Sequence, residues 1–366
     1  MKVFGKHYKT IWLDETNHKI VKIIDQRWLP HQFIIEDIAT AEEMCTAIKE
    51  MHLRGAGIIG VAASYAIYLA VIEATKSNNF DKYLIEVRDK ILKTRPTAVN
   101  LLWAVNKSLS YIEIPNTLND KIIEARAIAL QIAEEETETC INIGNFGLQI
   151  IEELSKNKNG ETVNILTHCN AGWLAFVDYG SALAPIYFAH QKGIKVHVWV
   201  DETRPRNQGA SLTAWELGME GVPHTLIVDN TGGHLMQHNM VDMVIVGTDR
   251  TSTNGDVANK IGTYLKALAA KDNNIPFYVA LPTSSIDWTV SDGIKSIPIE
   301  ERSPDEVKFI DGLNDKGILT KVKILSDNTN ALNYGFDVTP ARLVTKFITE
   351  KGIIDANKES ISQLRN

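Results

Sequence analysis

Chemically reactive side chains follow several short β-branched runs in the second half of the sequence. The runs cover residues 163–167, 196–200, 225–228, 243–246 and 277–281. Directly after them stand His168-Cys169-Asn170, Asp201-Glu202, Asp229-Asn230 and Gly247-Thr248-Asp249. If these runs are parallel strands, their carboxyl ends meet at one sheet edge, which is where open α/β sheets bind ligands. A thiol and carboxylates at such an edge could donate and accept protons during a reaction.

Cys169 and Asp249 are the leading candidates for this chemistry. Cys169 precedes a predicted helix, whose N–H groups would favour the thiolate and lower the thiol pKa. After Asp249 come a glycine-bearing loop and a helix predicted over residues 258–271, which carries Asn259 and Lys260 in its first turns. Each candidate also has an inert explanation, as a core cysteine or a structural aspartate. Their convergence on one sheet edge favours a shared site.

Two arginines that precede predicted helices indicate an anion site. Arg54 stands before Gly55-Ala56-Gly57-Ile58-Ile59-Gly60, which matches the dinucleotide pattern GxGxxG. A dinucleotide-binding site needs a strand before these glycines, but a helix is predicted there. The match is therefore weak evidence for a dinucleotide-binding site. Small residues at a helix start let a phosphate reach the backbone, and arginine supplies a charged fork. Arg95 is a second such cation, with Pro96 in the predicted first turn. The alternatives are glycines that serve helix packing and an arginine that lies on the surface.

The sequence predicts neither a metal site nor a disulfide. His234 and His238 have the i, i+4 spacing of a metal pair, but no third ligand follows at a suitable distance. The cysteines Cys45, Cys140 and Cys169 are far apart, and none forms a CxxC pair. This usage favours a reducing compartment, and we expect a cytoplasmic protein.

Length and charge narrow the partners further. The 366 residues exceed what one core usually holds, so two domains are expected. A net charge of −7 without a long basic run argues against a nucleic-acid partner. The most apolar stretch, residues 55–71, is interrupted by small residues and is short for a membrane span, so no membrane partner is expected.

Residue patterns predict a helical first third and an alternating remainder. One or two hairpins are expected in residues 11–35, and Thr40 with Glu43 forms a capping box for a helix that runs through Met51. Further helices are predicted from Arg54 and over residues 98–112, 120–138, 174–191, 210–218 and 258–271. Strands that alternate with helices predict an α/β fold with a doubly wound parallel sheet. We place an N-terminal mainly helical domain with a small β element at residues 1–125 and the sheet domain at residues 126–366.

Several motifs, in order along nearly the whole chain, resemble those of the methylthioribose-1-phosphate isomerases. That family is related to the regulatory subunits of the eukaryotic translation-initiation guanine-nucleotide exchange factor. The motifs are Asp25-Gln-Arg-Trp-Leu-Pro30, Arg54-Gly-Ala-Gly57, Arg95-Pro-Thr-Ala-Val-Asn-Leu101, Thr167-His-Cys-Asn-Ala-Gly172, Asp201-Glu-Thr-Arg-Pro-Arg206, Gln208-Gly-Ala210, Asn254-Gly-Asp256, Asn259-Lys-Ile-Gly-Thr263 and Phe336-Asp-Val-Thr-Pro-Ala-Arg342.

The resemblance implies a Rossmann-like C-terminal domain, a homodimer and no cofactor. Cys169 and Asp249 match the family's catalytic pair. The positions that match its substrate-binding residues are Arg54, Gly55, Ala56, Arg95, Gln208, Asn259 and Lys260. The implied reaction converts 5-methylthioribose 1-phosphate into 5-methylthioribulose 1-phosphate, a step of methionine salvage.

The resemblance leaves several alternatives open. The substrate could instead be 5-deoxyribose 1-phosphate or ribose 1,5-bisphosphate, or the chain could be a non-catalytic regulatory subunit. Either Cys169 or Asp249 could be the acid, and a hydride shift could replace proton transfer. The chain departs from the family pattern at Trp173, Thr248 and Asn207. An indole four residues after Cys169 could lie at the site rim and limit the sugar's 5-substituent, or it could pack in the core.

Overall fold

The computed structural model describes residues 1–96 and 98–365, so Thr97 of the Arg95 motif lies outside the described residues. Its helices are α1 Ala41–Lys49, α2 Ala56–Ala74, α3 Phe80–Thr94, α4 Val99–Ile112, α5 Leu118–Asn157, α6 Ala184–Gln191, α7 Ala214–Met219, α8 Thr231–Gln237, α9 Thr263–Asp272, α10 Gly293–Ser296, α11 Asp305–Lys308 and α12 Lys358–Ser362. A π-helical turn, Gly209–Thr213, leads directly into α7.

The strands form one large sheet and several small ones. They are β1 Lys2–Val3, β2 Lys6–His7, β3 Ile11–Leu13, β4 Val21–Ile24, β5 Ile35–Ile38, β6 Val163–Thr167, β7 Val196–Asp201, β8 His224–Ile227, β9 Met243–Val246, β10 Arg250–Ser252, β11 Val257–Lys260, β12 Phe277–Ala280, β13 Ile286–Asp287, β14 Phe309–Leu313, β15 Leu319–Lys323, β16 Phe336–Thr339, β17 Lys346–Thr349 and β18 Gly352–Ile354. The large sheet has seven strands in the order β18-β17-β12-β9-β6-β7-β8.

The large sheet confirms the predicted α/β fold. Its strands run parallel except β18, which pairs antiparallel with β17. All five strands predicted from β-branched runs lie in it, β6 and β9 with the predicted bounds. Neighbouring residues of β6 face opposite sides, since Ile165 and Leu166 belong to separate hydrophobic clusters. Two buried faces explain why these strands read as continuous apolar runs.

The N-terminal elements pack around one apolar helix, α2. Thr40 and Glu43 form the predicted capping box at the start of α1. Helix α2 is 19 residues long, so by length and composition it could cross a bilayer, but 83% of its most apolar window is buried inside the protein. A helix that is apolar on every side belongs in a core, which explains the composition of residues 55–71. The three-stranded sheet β3-β4-β5 supplies the predicted small β element.

The 40-residue helix α5 connects the two halves of the molecule. Its first turns, including Ala125 and Ala133, pack in the N-terminal cluster. Later turns, including Ile143 and Ile151, pack in the cluster under the large sheet. The predicted domain boundary after residue 125 falls inside this helix, and the division into two domains stays a prediction.

Two predicted helices have different structures. Within residues 174–191, the helix begins only at Ala184, and a short 3-10 turn, Trp173–Ala175, precedes an irregular segment. The backbone N–H groups of Trp173 and Leu174 donate to the buried Glu216 carboxylate, which holds them in a loop. Residues 258–260 lie in β11, which pairs with β16 along its whole length and with β10 at its start. Helix α9 then starts at Thr263, so Asn259 and Lys260 lie on a strand and not in its first turns.

Gly147 tests the packing of α5 against α6. A Cβ atom on Gly147 would lie 2.4 Å from Cγ of Pro185, whose ring has little freedom to move. Gly147→Ala gains about 0.5–1 kcal/mol of helix propensity, but overpacking a core costs about 1–3 kcal/mol. We therefore expect a lower midpoint of chemical unfolding. Asn145→Ala, at an exposed position of the same helix, is the control, and a Gly147→Ala protein as stable as this control would contradict the packing argument.

Candidate active site

One pocket lies where the start of α2 meets the carboxyl edge of the large sheet, and it has an empty volume of about 630 Å³. Its wall includes all nine residues singled out from the sequence: Arg54, Gly55, Ala56, Arg95, Cys169, Gln208, Asp249, Asn259 and Lys260. Four come from the N-terminal elements and five from the ends of strands and their loops. The fold therefore brings together groups that are up to 206 positions apart in the sequence, from Arg54 to Lys260.

Cys169 follows β6 in a conformation that few side chains adopt. Its φ angle is +66°, and a non-glycine residue held in this region costs on the order of 1–3 kcal/mol. Two hydroxyls hold it there: the Cys169 N–H donates to Thr203 Oγ1 at 2.8 Å, and Thr213 Oγ1 donates to the Cys169 carbonyl at 2.6 Å. These bonds turn the thiol toward the pocket at the edge of the sheet.

The predicted low pKa of Cys169 is wrong. Burial raises the pKa of the thiol above its ordinary value, while the positive charges of Lys260 and Arg54 oppose that rise. The expected helix does not follow Cys169 directly, so no helix N-terminus offsets the loss of water. The two cations are therefore the main stabilisation available to a thiolate.

Asp249 is the third residue after the end of the neighbouring strand β9. Its N–H donates to the Ala258 carbonyl at 3.0 Å, which joins the end of β9 to β11. Burial raises the pKa of the carboxyl group, and Lys260, Arg95 and Arg54 oppose the rise in that order. A carboxyl group with a raised pKa keeps its proton closer to neutral pH and can act as an acid.

Arg54 and the start of α2 offer donors for an anion. Arg54 is 9% exposed, and its guanidinium donates to the Asn170 carbonyl at 3.1 Å and to the Asn170 side-chain oxygen. Its Nε has no hydrogen-bond partner among the described residues. Gly55 precedes α2 with a φ of +124° and no side-chain cap, so the first N–H groups of the helix remain available to a ligand. A Cβ atom on Gly55 would lie 2.6 Å from the Ala175 backbone, so only glycine fits.

Arg95 lines the pocket from the end of a helix, whereas the sequence predicted it at the start of one. It ends α3, whose last residue is Thr94, and α4 begins only at Val99. The residue before a proline is disfavoured in helical conformation, so Pro96 stops α3 and does not start α4. The guanidinium lies 3.6 Å from Glu300 Oε2, and its side chain is 15% exposed.

Three further polar residues complete the wall. Lys260 is buried on β11, with Nζ 4.9 Å from the Phe336 ring centroid, and no carboxylate forms an ion pair with it among the described residues. Asn259 donates from Nδ2 to Thr263 Oγ1 at 3.0 Å. Gln208 is buried, and its Oε1 has no partner within the described part of the chain. Buried polar groups without partners are costly, and a polar ligand would satisfy them.

Glu216 is a positioning residue that the sequence analysis missed. Its buried carboxylate accepts hydrogen bonds from Asn170 Nδ2 at 2.9 Å and Tyr187 Oη at 2.8 Å, besides the N–H groups of Trp173 and Leu174. It thereby holds the loop that follows Cys169. The one hint in the sequence is an acidic residue between Trp215 and Leu217 in a predicted helix, which is too weak to identify it.

Trp173 does not reach the site. Its side chain is 0% exposed and packs in the core, with its ring centroid 6.2 Å from that of Trp215. It is absent from the pocket wall. The second of the two interpretations is therefore correct: Trp173 packs in the core and does not contact the pocket.

Two clusters of possible metal ligands form ion pairs with positively charged side chains of the protein. His168, Asp201 and Asp229 lie close together, but the Asp201 carboxylate is already paired with Lys266 Nζ at 3.1 Å and with His168 Nδ1 at 2.9 Å. In the cluster of Asp25, Glu36 and His52, Arg27 forms an ion pair with Asp25 at 2.7 Å. His234 and His238 stack with ring centroids 4.3 Å apart, and no third ligand joins them among the described residues.

Comparison with known proteins shows the family of this chain. The Initiation factor 2 subunit family matches residues 52–356. A methylthioribose-1-phosphate isomerase of Desulfatibacillum aliphaticivorans is 57% identical over 364 residues, which is 100% of this chain and 98% of that protein. One of Brucella anthropi is 55% identical and covers 100% of this chain and 99% of that protein. The chain belongs to the methylthioribose-1-phosphate isomerase family, within the Initiation factor 2 subunit family.

Solved structures confirm the fold of this methylthioribose-1-phosphate isomerase family member. A 5-methylthioribose 1-phosphate isomerase of Pyrococcus horikoshii is 37% identical, with a TM-score of 0.84 over 98% of this chain and 96% of that one. The delta subunit of the translation initiation factor eIF-2B from A. fulgidus is 35% identical, with a TM-score of 0.80 over 98% of this chain and 99% of that one. The resemblance read from the motifs is thus confirmed, together with the α/β fold.

The raised thiol pKa predicts how Cys169 reacts with iodoacetamide. Only the thiolate reacts, so the rate should rise about tenfold per pH unit from pH 7 to 9. Lys260→Met removes the charge that lowers the Cys169 pKa most, so the labelling rate of this variant at a fixed pH should fall. Cys169→Ser measures background labelling of the buried Cys45 and Cys140. A rate that does not change between pH 7 and 9 would mean that the thiolate already predominates.

Proposed function

We propose that this protein is an aldose–ketose isomerase that converts 5-methylthioribose 1-phosphate into 5-methylthioribulose 1-phosphate, within methionine salvage. The observation that most directly supports the proposal is one pocket that contains a thiol, a carboxyl group with a raised pKa and several anion donors. Relatives named for this reaction match the full chain at more than half identity.

The pocket contains positively charged side chains and N–H groups that suit the substrate phosphate. Arg54, Arg95 and Lys260 carry positive charge, and the start of α2 adds backbone N–H groups. On the same wall, the Arg54 Nε and the Gln208 Oε1 have no hydrogen-bond partner within residues 1–96 and 98–365. A sugar phosphate supplies both kinds of partner, since its phosphate oxygens accept hydrogen bonds and its hydroxyls donate them.

Asp249 and Cys169 divide the chemistry between them. The phosphate ester at C1 prevents spontaneous ring opening, so the ring oxygen needs a proton. Asp249 donates that proton, and the bond from C1 to the ring oxygen breaks. The Cys169 thiolate then takes the C2 proton, which leaves a cis-enediol, and the thiol returns the proton to C1. The C2 hydroxyl proton goes back to Asp249 as the ketone forms, so both residues are restored.

The protein is proposed to work as a cytoplasmic homodimer, without a cofactor, nucleic acid or membrane. The three cysteines form no disulfide with one another, which suits a reducing compartment. The net charge of −7 gives no support to a nucleic-acid partner. Sedimentation of the purified full chain measures the dimer.

Substitution of the proposed acid and base tests the mechanism. Cys169→Ser and Asp249→Asn should each lower kcat by about 10²-fold or more, because one proton-transfer group contributes about 10²–10⁴-fold. Ketose formation from 5-methylthioribose 1-phosphate, followed by NMR, measures the rate, and circular dichroism checks that the fold is retained. Turnover near that of the unmodified enzyme in either variant would remove that residue from the mechanism. Because the Cys169 thiol can exchange its proton with solvent before it returns one to C1, some deuterium from D₂O should appear there, whereas a hydride shift would carry none.

Arg95→Ala tests the phosphate contacts. A hydrogen bond to a charged group contributes about 1.5–3 kcal/mol, so KM for the sugar phosphate should rise roughly 10- to 150-fold. Arg88→Ala, on the exposed side of α3, is the matched control and should leave KM unchanged. An equal loss of activity on the unphosphorylated sugar would show instead that Arg95 has a structural role.

A further inference from the structure

His168 lies directly before Cys169, and its ring is held between two hydrogen-bond acceptors. The residue is 1% exposed. Its Nδ1 is 2.9 Å from Asp201 Oδ2, and its Nε2 is 2.9 Å from the carbonyl oxygen of Ile261. A backbone carbonyl can only accept a hydrogen bond, so Nε2 carries a proton and donates it. The mechanism proposed above gives this ring no role.

Asp201 determines the state of the other ring nitrogen, Nδ1. Its Oδ2 also lies 3.1 Å from Lys266 Nζ, and an ammonium group can only donate. The second carboxylate oxygen, Oδ1, is buried and has no hydrogen-bond partner among the described residues, so a proton on it would have no acceptor. Asp201 is therefore ionised, and Nδ1 of His168 donates to it.

The charges around the ring favour the same state. Besides Asp201, Asp229 Oδ1 lies 3.9 Å from Nδ1 of His168. Burial raises the pKa of a third carboxyl group, Asp337, while backbone N–H groups and the charges of His168 and Lys266 oppose that rise. A neutral ring would remove one of the two positive charges that balance these carboxylates. Buried charges without partners are strongly destabilising, so the cluster favours a positively charged ring.

The hydrogen bond from Nε2 of His168 joins two walls of the pocket. Ile261, which accepts this bond, directly follows Lys260 at the end of β11. The chain packs closely on the ring there, because a Cβ atom on Gly262 would lie 3.2 Å from Nε2. Gly262 also has a φ of +102°, which glycine adopts without strain. The ring therefore connects the end of the strand that carries the thiol to the strand that carries Lys260.

We propose that His168 is a positioning residue that donates from both ring nitrogens, as an imidazolium, and thereby holds Lys260 beside the Cys169 thiol. A neutral imidazole has one N–H and could satisfy one acceptor only. Lys260 is the residue whose charge lowers the pKa of Cys169 most. The His168 side chain is 0% exposed, so it acts through Lys260 and not by contact with a sugar. Its part in catalysis rests on the function proposed above, in which the Cys169 thiolate takes the C2 proton.

Nitrogen-15 NMR of the full chain with labelled histidine tests the protonation state directly. Both ring nitrogens of His168 should carry an attached proton at about pH 7.5. His168→Gln lacks this signal and so identifies it in the spectrum. If that variant does not fold, Asp201→Asn identifies the signal instead, because the loss of the carboxylate changes the environment of Nδ1. A ring nitrogen of His168 without a proton in the unmodified protein would overturn the proposal.

Iodoacetamide labelling of Cys169 tests whether His168 acts through Lys260. His168→Gln should lower the labelling rate several-fold at a fixed pH, because Lys260 is no longer held beside the thiol. The same change made in the Lys260→Met protein should have little further effect, since residues that act through one another are not additive. His234→Gln, at an exposed position, is the control and should label at the unmodified rate. An effect of His168→Gln that is equally large with and without Lys260 would overturn the positioning role.

These outcomes are distinguishable from a failure of the proposed function. Neither the NMR nor the labelling experiment involves turnover, so both decide the state and the action of His168 in any case. An unmodified enzyme that forms no ketose from 5-methylthioribose 1-phosphate would overturn the isomerase function alone. In an active enzyme, kcat of His168→Gln should fall together with the labelling rate. An unchanged kcat in that variant would overturn the part of His168 in catalysis.

Discussion

A buried hydrogen-bond chain from Arg54 through Asn170 to Glu216 holds the candidate site together. Arg54 precedes α2, Asn170 follows the thiol, and Glu216 lies in α7, so the chain joins three separate parts of the fold. Removing any member would leave a charged or polar group buried without a partner, which typically costs several kcal/mol. The anion donors at α2 and the thiol at β6 therefore keep one fixed relation to each other.

Burial and positive charge act against each other on both proposed catalytic groups. Loss of water raises the pKa of Cys169 and the pKa of Asp249, and Lys260 and Arg54 oppose both rises. In the proposed mechanism the same cations bind the substrate phosphate, so binding and proton transfer would depend on one set of charges. The fold alone does not specify this chemistry, because an initiation-factor subunit of A. fulgidus has a similar fold.

Local patterns in the sequence predicted the helix caps and strands that depend on neighbouring residues. The capping box of Thr40 was predicted with its observed partner, and the strands β6 and β9 were predicted with their observed bounds. These predictions succeed because capping and periodicity depend on residues only a few positions apart. Most of the nine site residues stood out at predicted strand ends and helix starts, and the family resemblance added Gln208; strand ends of a parallel sheet necessarily share one edge. Lys260 was assigned to a helix in error, because β-strand pairing with β10 and β16 outweighs local helix propensity.

The sequence by itself therefore determined the parallel sheet, the family and nine of the residues that line the pocket. Tertiary structure decided the electrostatics, since the raised pKa of Cys169 depends on how much water the surrounding chain excludes. It also decided that Trp173 packs in the core and that Glu216, 47 positions after Cys169, holds the loop at the thiol. Burial and long-range hydrogen bonds join residues that no local spacing connects, and for that physical reason they emerge only from the folded chain.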